Sequence, residues 1–295
     1  MSEPGLVIAR HRRHAEVELP DRGILLCNLS SRQQRPVVGD TVEVDRTADG
    51  AGIVTAVRPR RTLLTRVDAR GRQQPVAANL TQLVVVVAAE PRVDWLVLDH
   101  YLAAAELSSL GSLVLFNKVD LVDALPNEFQ AYRNVVDVLA VSTKRALPPE
   151  LARRLSDARS ALVGQSGVGK SSLINALLGD EVQDVRALSS KAKQGTHTTT
   201  SATLFRLRSG GELVDSPGVR SYAPYIEHER DVARGYREFA PFIDQCRFDD
   251  CMHLAEPGCA VKQALSQDRI AALRCESYTK LCALVASLRT RRSGY

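Results

Sequence analysis

No stretch of this sequence approaches the roughly 18 to 20 consecutive apolar residues that crossing a bilayer requires, so no segment reads as a membrane span. The first residues, Met1-Ser2-Glu3-Pro4-Gly5, lack the basic and apolar regions of a secretory signal, and a cytoplasmic protein is expected. Internal repeats and low-complexity tracts are also missing, which argues against solenoid and linker-like readings. Six cysteines are few for a disulfide framework in 295 residues, and in a reducing compartment they suit a metal better than cross-links. The N-terminal segment has no lysine. Its 13 basic residues in 1–79, against 9 acidic ones, are all arginine, the better fork for phosphate. Arg10, His11, Arg12, Arg13 and His14 form one cluster, and Arg58, Arg60 and Arg61 form a second. A solvated charged face is the plainer alternative.

What is present is dominated by two nucleotide signatures in an unusual order. Gly164-Gln165-Ser166-Gly167-Val168-Gly169-Lys170-Ser171, with Ser172 following, matches the eight-residue phosphate loop. It follows the apolar run Ser160 to Val163 and opens a helical run, Lys170 to Leu178, closed by Gly179. In that context backbone N–H groups at a helix N-terminus cradle the β-phosphate. Lys170 would reach the β/γ oxygens and Ser171 would ligate Mg²⁺. Asn117-Lys118-Val119-Asp120 closes the run Ser112 to Phe116, where the C-terminal end of a parallel strand binds ligands. A carboxylate at Asp120 can accept from guanine N1–H and its 2-amino group, a pair that adenine lacks. Ser142-Thr143-Lys144, after Val138 to Val141, would bring backbone N–H groups to guanine O6.

In ordinary GTPases the phosphate loop comes first; here it follows both base-reading motifs. The switch elements then come last. Asp215-Ser216-Pro217-Gly218 can hold a carboxylate over the metal and offer the Gly218 N–H to the γ-phosphate. Thr198 and Thr199, in Gly195-Thr196-His197-Thr198-Thr199-Thr200, include a plausible Mg²⁺ ligand. Val219 stands where Ras-like enzymes place the glutamine that orients water, and valine cannot do so. His197 is the nearest candidate for that work, or for sensing the γ-phosphate, or it is an ordinary surface residue. The polar segment 184–195, with no helical or strand period, reads as a switch region.

Beyond the switches, Cys246, Cys251, His253 and Cys259 form C-x4-C-x-H-x5-C, four soft ligands with no position open to substrate. That set suits one structural, tetrahedral Zn²⁺. Cys27, Cys275 and Cys282 read as packing residues.

Fold class follows from these patterns. Short alternating runs up to residue 67 predict a small antiparallel barrel of OB type. Alternating strands and helices then predict a mostly parallel sheet: strand 80–88, helix 94–109, strand 112–117, helix near 127–137, strand 138–142, helix 149–158, strand 160–164, helix 170–178. The expected organisation is an α/β, circularly permuted P-loop GTPase domain over 80–225. A barrel over 1–70 and a linker over 71–79 precede it, and a helical zinc-knuckle domain over 226–295 follows.

The permuted motif order, the Gly-x-His-Thr-Thr switch, Asp-Ser-Pro-Gly before an apolar residue and the C-x4-C-x-H-x5-C knuckle together resemble the bacterial ribosome small-subunit-dependent GTPase A family. The resemblance runs from Val38-Gly39-Asp40 through Glu256-Pro257-Gly258-Cys259-Ala260-Val261-Lys262 to Glu276-Ser277-Tyr278. It departs at Thr196, where the family carries arginine, and in a short barrel and a short Lys144-to-Ser160 connection. It implies a monomeric GTPase that binds the 30S subunit and its 16S rRNA late in maturation, converts GTP to GDP, and is stimulated by that subunit. Two other readings stay open: a GTP-regulated accessory protein of RNA modification, and a non-hydrolysing scaffold in which nucleotide is structural.

Overall fold

The computed structural model describes residues 2–20, 23–29, 35–48, 50–67, 72–179, 202–215 and 225–293. Five strands open the chain: β1 (Glu3–Arg10), β2 (His14–Leu19), β3 (Gly23–Leu29), β4 (Thr41–Arg46) and β5 (Gly52–Val57). They pair in the order β1-β2-β3-β5-β4, and β4 closes back onto β1. Closure removes the exposed edges that a five-stranded sheet would otherwise present, and this Greek-key order is that of an OB-type barrel. Alternation drives it: Val7, Val17, Cys27, Val42, Val44 and Val54 all point into one small core. Cys27 is a packing residue there, as expected.

Residues 71–79, expected as a linker, instead contain a strand. β7 (Gln73–Ala78) pairs antiparallel with β6 (Leu63–Val67). Pro75 is tolerated because the ladder is irregular beside it, between Leu64 and Thr65.

The second half of the sheet is mostly parallel. β8 (Gln82–Ala88), β9 (Gly111–Asn117), β10 (Asp137–Ala140), β11 (Arg159–Val163) and β13 (Glu212–Asp215) run the same way, in the order β10-β9-β8-β11-β13. β12 (Ala202–Arg206) adds antiparallel to β13. The continuous apolar runs Leu83 to Ala88 and Leu113 to Phe116 are buried on both faces, as parallel strands must be. One face is covered by α1 (Trp95–Leu107), the other by α2 (Pro149–Leu155) and α3 (Lys170–Leu178). The helix expected near 127–137 is a short three-ten turn, Asn127–Tyr132. Its aromatics decide the matter: Phe129 and Tyr132 plug against Trp95, with ring centroids 5.0 and 5.6 Å away, and leave no amphipathic period to extend.

Barrel and parallel sheet are one continuous hydrogen-bonded surface. β12 pairs with β13 on one side and with β1 on the other, so Thr203 lies between Asp215 and Ala9. A second junction forms at the Val38-Gly39-Asp40 turn, where Asn79 and Arg159 both donate to the Gly39 carbonyl, each at 2.9 Å.

The C-terminal region comprises three-ten turns at Glu229–Gly235 and Arg237–Phe239, then α4 (Ala240–Ile243), the cysteine knuckle, α5 (Ala260–Ser266) and α6 (Ala272–Ser293). Arg274 of α6 is buried against Asp99 of α1 and Glu238, with the Tyr236 ring 4.4 Å from its guanidinium. Burial alone would discourage that charge, but the two carboxylates more than offset it and hold Arg274 protonated. A buried ion pair thus locks α6 onto α1 of the parallel-sheet half. Among the described residues no helix is long and apolar enough to cross a membrane.

Candidate nucleotide site and metal centre

Because β8, β9, β10, β11 and β13 are parallel, their C-terminal ends share one edge of the sheet. The loops that follow β9, β10 and β11, together with Asp215 at the end of β13, therefore converge there. The phosphate loop leaves β11 at Gly164, whose φ is +140°. A Cβ at that position would lie 2.1 Å from the Val86 carbonyl, so only glycine allows the loop to turn against β8. Gly169 begins α3 at φ +92°, and a Cβ there would meet Asn117 Nδ2 at 2.4 Å. Lys170 lies half-buried across the loop, its ammonium donating to Gly164 O at 2.7 Å and to Gln165 O. Ser171 and Ser172 are exposed on the first turn of α3, and Ser166 and Gly167 are exposed in the loop.

Sequence reasoning assigned Asn117 and Lys118 to the base, and the structure gives them a further task. Asn117 is buried and donates from Nδ2 to Val168 O at 2.8 Å. Lys118 adopts φ +60° and donates from Nζ to Gly167 O at 2.8 Å and Glu90 O at 2.6 Å. Both therefore brace the phosphate loop. Asp120 is held from the β10 side, accepting from Ser142 Oγ at 2.6 Å and pairing with Lys144 Nζ at 2.8 Å. The Lys144 and Ser142 hydrogen bonds hold its carboxyl down at about 2, so it is ionised and acceptor-only, as guanine reading requires. Ser142 is buried and also accepts from the Lys144 N–H, whereas Thr143 is exposed. Asp215 ends β13 at the same edge. Thr196, His197, Thr198, Thr199, Gly218, Val219 and the segment 184–195 lie outside the described residues.

The basic clusters divide. Arg12 and Arg13 are exposed in the β1–β2 turn. Arg60, expected to offer phosphate a fork, is instead buried in a two-pronged pair with Asp40, at 2.7 and 2.8 Å. Arg58 pairs with Glu43 at 2.6 Å. A buried carboxylate at Asp40 needs a fixed cation, which is why Arg60 turns inward while Arg58 and Arg61 stay exposed.

In the C-terminal region, one ligand atom from each of Cys246, Cys251, His253 and Cys259 lies within 4.8 Å of the others. His253 Nδ1 is 3.5 Å from both Cys246 Sγ and Cys259 Sγ, and those sulfurs are 3.9 Å apart. Tetrahedral bonds of about 2.3 Å to sulfur and 2.0–2.1 Å to nitrogen separate ligand atoms by roughly 3.6–3.8 Å, so the donor set fits such an ion. The loop is preformed around it. Glu256 accepts from the N–H groups of Met252, Leu254 and Ala255 at 2.9–3.1 Å, and Tyr278 donates to Met252 O at 2.6 Å. His253 sits at φ +56° inside that cage, and the Lys262 N–H points at Cys259 Sγ at 3.5 Å. Cys275 and Cys282 pack in the helical core beside it.

A phosphate-loop motif, an ionised Asp120 after β9 and Asp215 at the end of β13 on one sheet edge, with the chain threaded so that the phosphate loop comes third, have the layout of a circularly permuted GTPase. The comparisons with known proteins agree. The family model described as RsgA GTPase matches residues 57–224, and the chain belongs to that family. A curated relative from Chromohalobacter salexigens, named Small ribosomal subunit biogenesis GTPase RsgA, is 43% identical over 284 residues, 93% of this chain and 84% of that protein. Its namesake from Vibrio cholerae is 39% identical over 294 residues, 95% and 76% of the two chains. The crystal structure of YjeQ from Thermotoga maritima superposes with a TM-score of 0.77 at 29% identity, covering 97% of this chain and 99% of that one. YloQ, described as a circularly permuted GTPase, shares the fold at a TM-score of 0.72 and 24% identity, covering 97% and 96%.

Proposed function

We propose that this GTPase acts in late maturation of the small ribosomal subunit, binding the 30S particle through its 16S rRNA and hydrolysing GTP to GDP and phosphate under stimulation by that particle. The observation that carries this reading is the coincidence of a prebuilt guanine-nucleotide site with near full-length similarity to relatives named for small-subunit biogenesis. Asp120 would read guanine, with Ser142, Thr143 and Lys144 closing the base pocket. The loop 164–172 would hold the phosphates, with Lys170 on the β/γ oxygens. Ser171, Asp215 and Thr198 or Thr199 would ligate Mg²⁺, which when bound neutralises charge on the β/γ oxygens. Gly218 would offer its N–H to the γ-phosphate and His197 would position water, since Val219 cannot.

The knuckle would hold one structural Zn²⁺, all four positions being protein ligands. The barrel over 1–70, the core over 80–225 and the zinc region over 226–295 would then serve RNA contact, catalysis and anchoring in a cytoplasmic monomer. Exposed Arg12 and Arg13, with Arg10 behind them, would meet rRNA phosphates.

The test is single-turnover GTP hydrolysis with and without purified 30S and 50S subunits. Alone, the protein should turn over far below the roughly 1–100 s⁻¹ of efficient phosphoryl-transfer enzymes. The 30S particle should accelerate it and the 50S should not. His197→Ala should abolish most of the stimulated rate and leave GTP affinity within about a few-fold, because the imidazole acts at the γ-phosphate end rather than the base. Stimulation by isolated tRNA instead of 30S would favour a role in RNA modification.

A further inference from the structure

We propose that Lys144 is an internal competitor of guanine for the Asp120 carboxylate, so that base binding exchanges its ammonium for the N1–H and 2-amino donors of the base and GDP release reverses the exchange; this rests on the reading that Asp120 recognises guanine. The protein supplies one donor to each carboxylate oxygen, Ser142 Oγ to Oδ1 at 2.6 Å and Lys144 Nζ to Oδ2 at 2.8 Å. The two donors differ in setting. Ser142 is buried, and its hydroxyl oxygen also accepts from the Lys144 backbone N–H at 3.2 Å, so it is a fixed part of the pocket wall. The Lys144 side chain is 73% exposed against 13% for Asp120, which puts the ammonium on the solvent side of the carboxylate. A base must arrive from that side.

The guanine edge that meets a carboxylate carries only donors, and so does an ammonium. Neither can hydrogen-bond the other, and their positive ends repel, so Lys144 gives up its place when the base is seated. Its flexible, solvated stem makes that move easy. Lys118 is no alternative competitor, because its ammonium is held by Gly167 O and Glu90 O. Only the fraction of molecules with the Lys144 ammonium withdrawn can accept the base, and apparent affinity falls by that fraction. When GDP leaves, the ammonium returns and the acid is not left unsatisfied. The site thereby carries its own aid to nucleotide exchange.

The test measures binding of a fluorescent GDP to the full chain by stopped flow. Lys144→Met keeps an unbranched stem and removes the charge; it should bind GDP about two- to fivefold more tightly, the scale of one solvent-exposed ion pair. The gain should appear as faster association with dissociation unchanged, and it should narrow at about 1 M salt, where the pair is screened. Lys144→Arg should restore the parent's behaviour. In the Asp120→Asn background, probed with xanthosine diphosphate, Lys144→Met should change affinity little. Lys144→Met that binds GDP as the parent does, or more weakly, would overturn the proposal, since a lysine that only lines the base pocket can lose affinity but not gain it. An equal gain in the Asp120→Asn background would overturn it as well. Failure of Asp120→Asn itself to turn preference from GDP to xanthosine diphosphate would instead defeat the reading of Asp120 beneath it.

Discussion

The phosphate loop and the cysteine knuckle both hold backbone in left-handed conformations, at Gly167 and Gly169 in one and His253 and Gly258 in the other, and they do so by different means. The loop is braced from outside. Asn117 at the end of β9, two places away in the sheet, and Lys118 just after it reach its carbonyls, while β11 and α3 fix its two ends. The knuckle is braced from within, by Glu256 on the N–H groups of Met252, Leu254 and Ala255 and by four metal-type ligands crowded together. Burial pushes the Cys251 thiol up to about 12, so only a bound cation would hold it as a thiolate ligand, and the binding free energy of that cation would then be part of the knuckle's stability. A site supported by a scaffold tolerates loss of its ligand; one supported by its ligand does not.

Removing the metal should break this contrast most visibly. Chelation, or Cys251→Ser, is expected to unfold the knuckle while GTP affinity stays nearly normal, since structural zinc contributes on the order of 10 kcal/mol of local folding free energy. Metal analysis of protein purified without chelator should find one equivalent, and circular dichroism with nucleotide titration reads the rest. A parallel collapse of GTP binding would show that the two sites are not independently supported, with the buried Arg274 cluster the path between them.

A smaller effect is expected on the scaffolded side. Asp120→Asn should lower GTP affinity on the order of 100-fold and shift preference to xanthosine triphosphate, because the amide donates where the carboxylate accepted. Competition binding checks it, and unchanged GTP affinity would remove Asp120 from the base site. The fold should not suffer, for Asp120 does not brace the loop.

Smallest is a change within the knuckle's own frame. Glu256→Gln keeps size and shape but replaces a charged acceptor of three N–H groups, so metal affinity should fall roughly 10- to 100-fold with the ion still bound at saturation. Competition with a metal indicator measures it. No loss at all would mean that the four ligands alone set the loop.

The sequence by itself determined the class and the order of parts. Motifs with fixed spacing, such as the phosphate loop or C-x4-C-x-H-x5-C, depend on local backbone and on side chains close in the chain, so their geometry is written in consecutive residues. Alternation likewise gave the barrel, and the helix Lys170–Leu178 lies where its run predicted. Tertiary structure decided what depends on partners far away. Asn117 meets Val168 across 51 residues, and nothing in either segment announces the bond. Asp40 claims Arg60 for the interior, against the expectation of a phosphate contact. Residues 73–78 become a strand because β6 offers them a ladder, and 127–137 forgoes a helix because Trp95 offers its aromatics a place to pack. Local pattern fixes what a segment can form; burial and hydrogen-bond satisfaction across the fold select which of those forms it adopts.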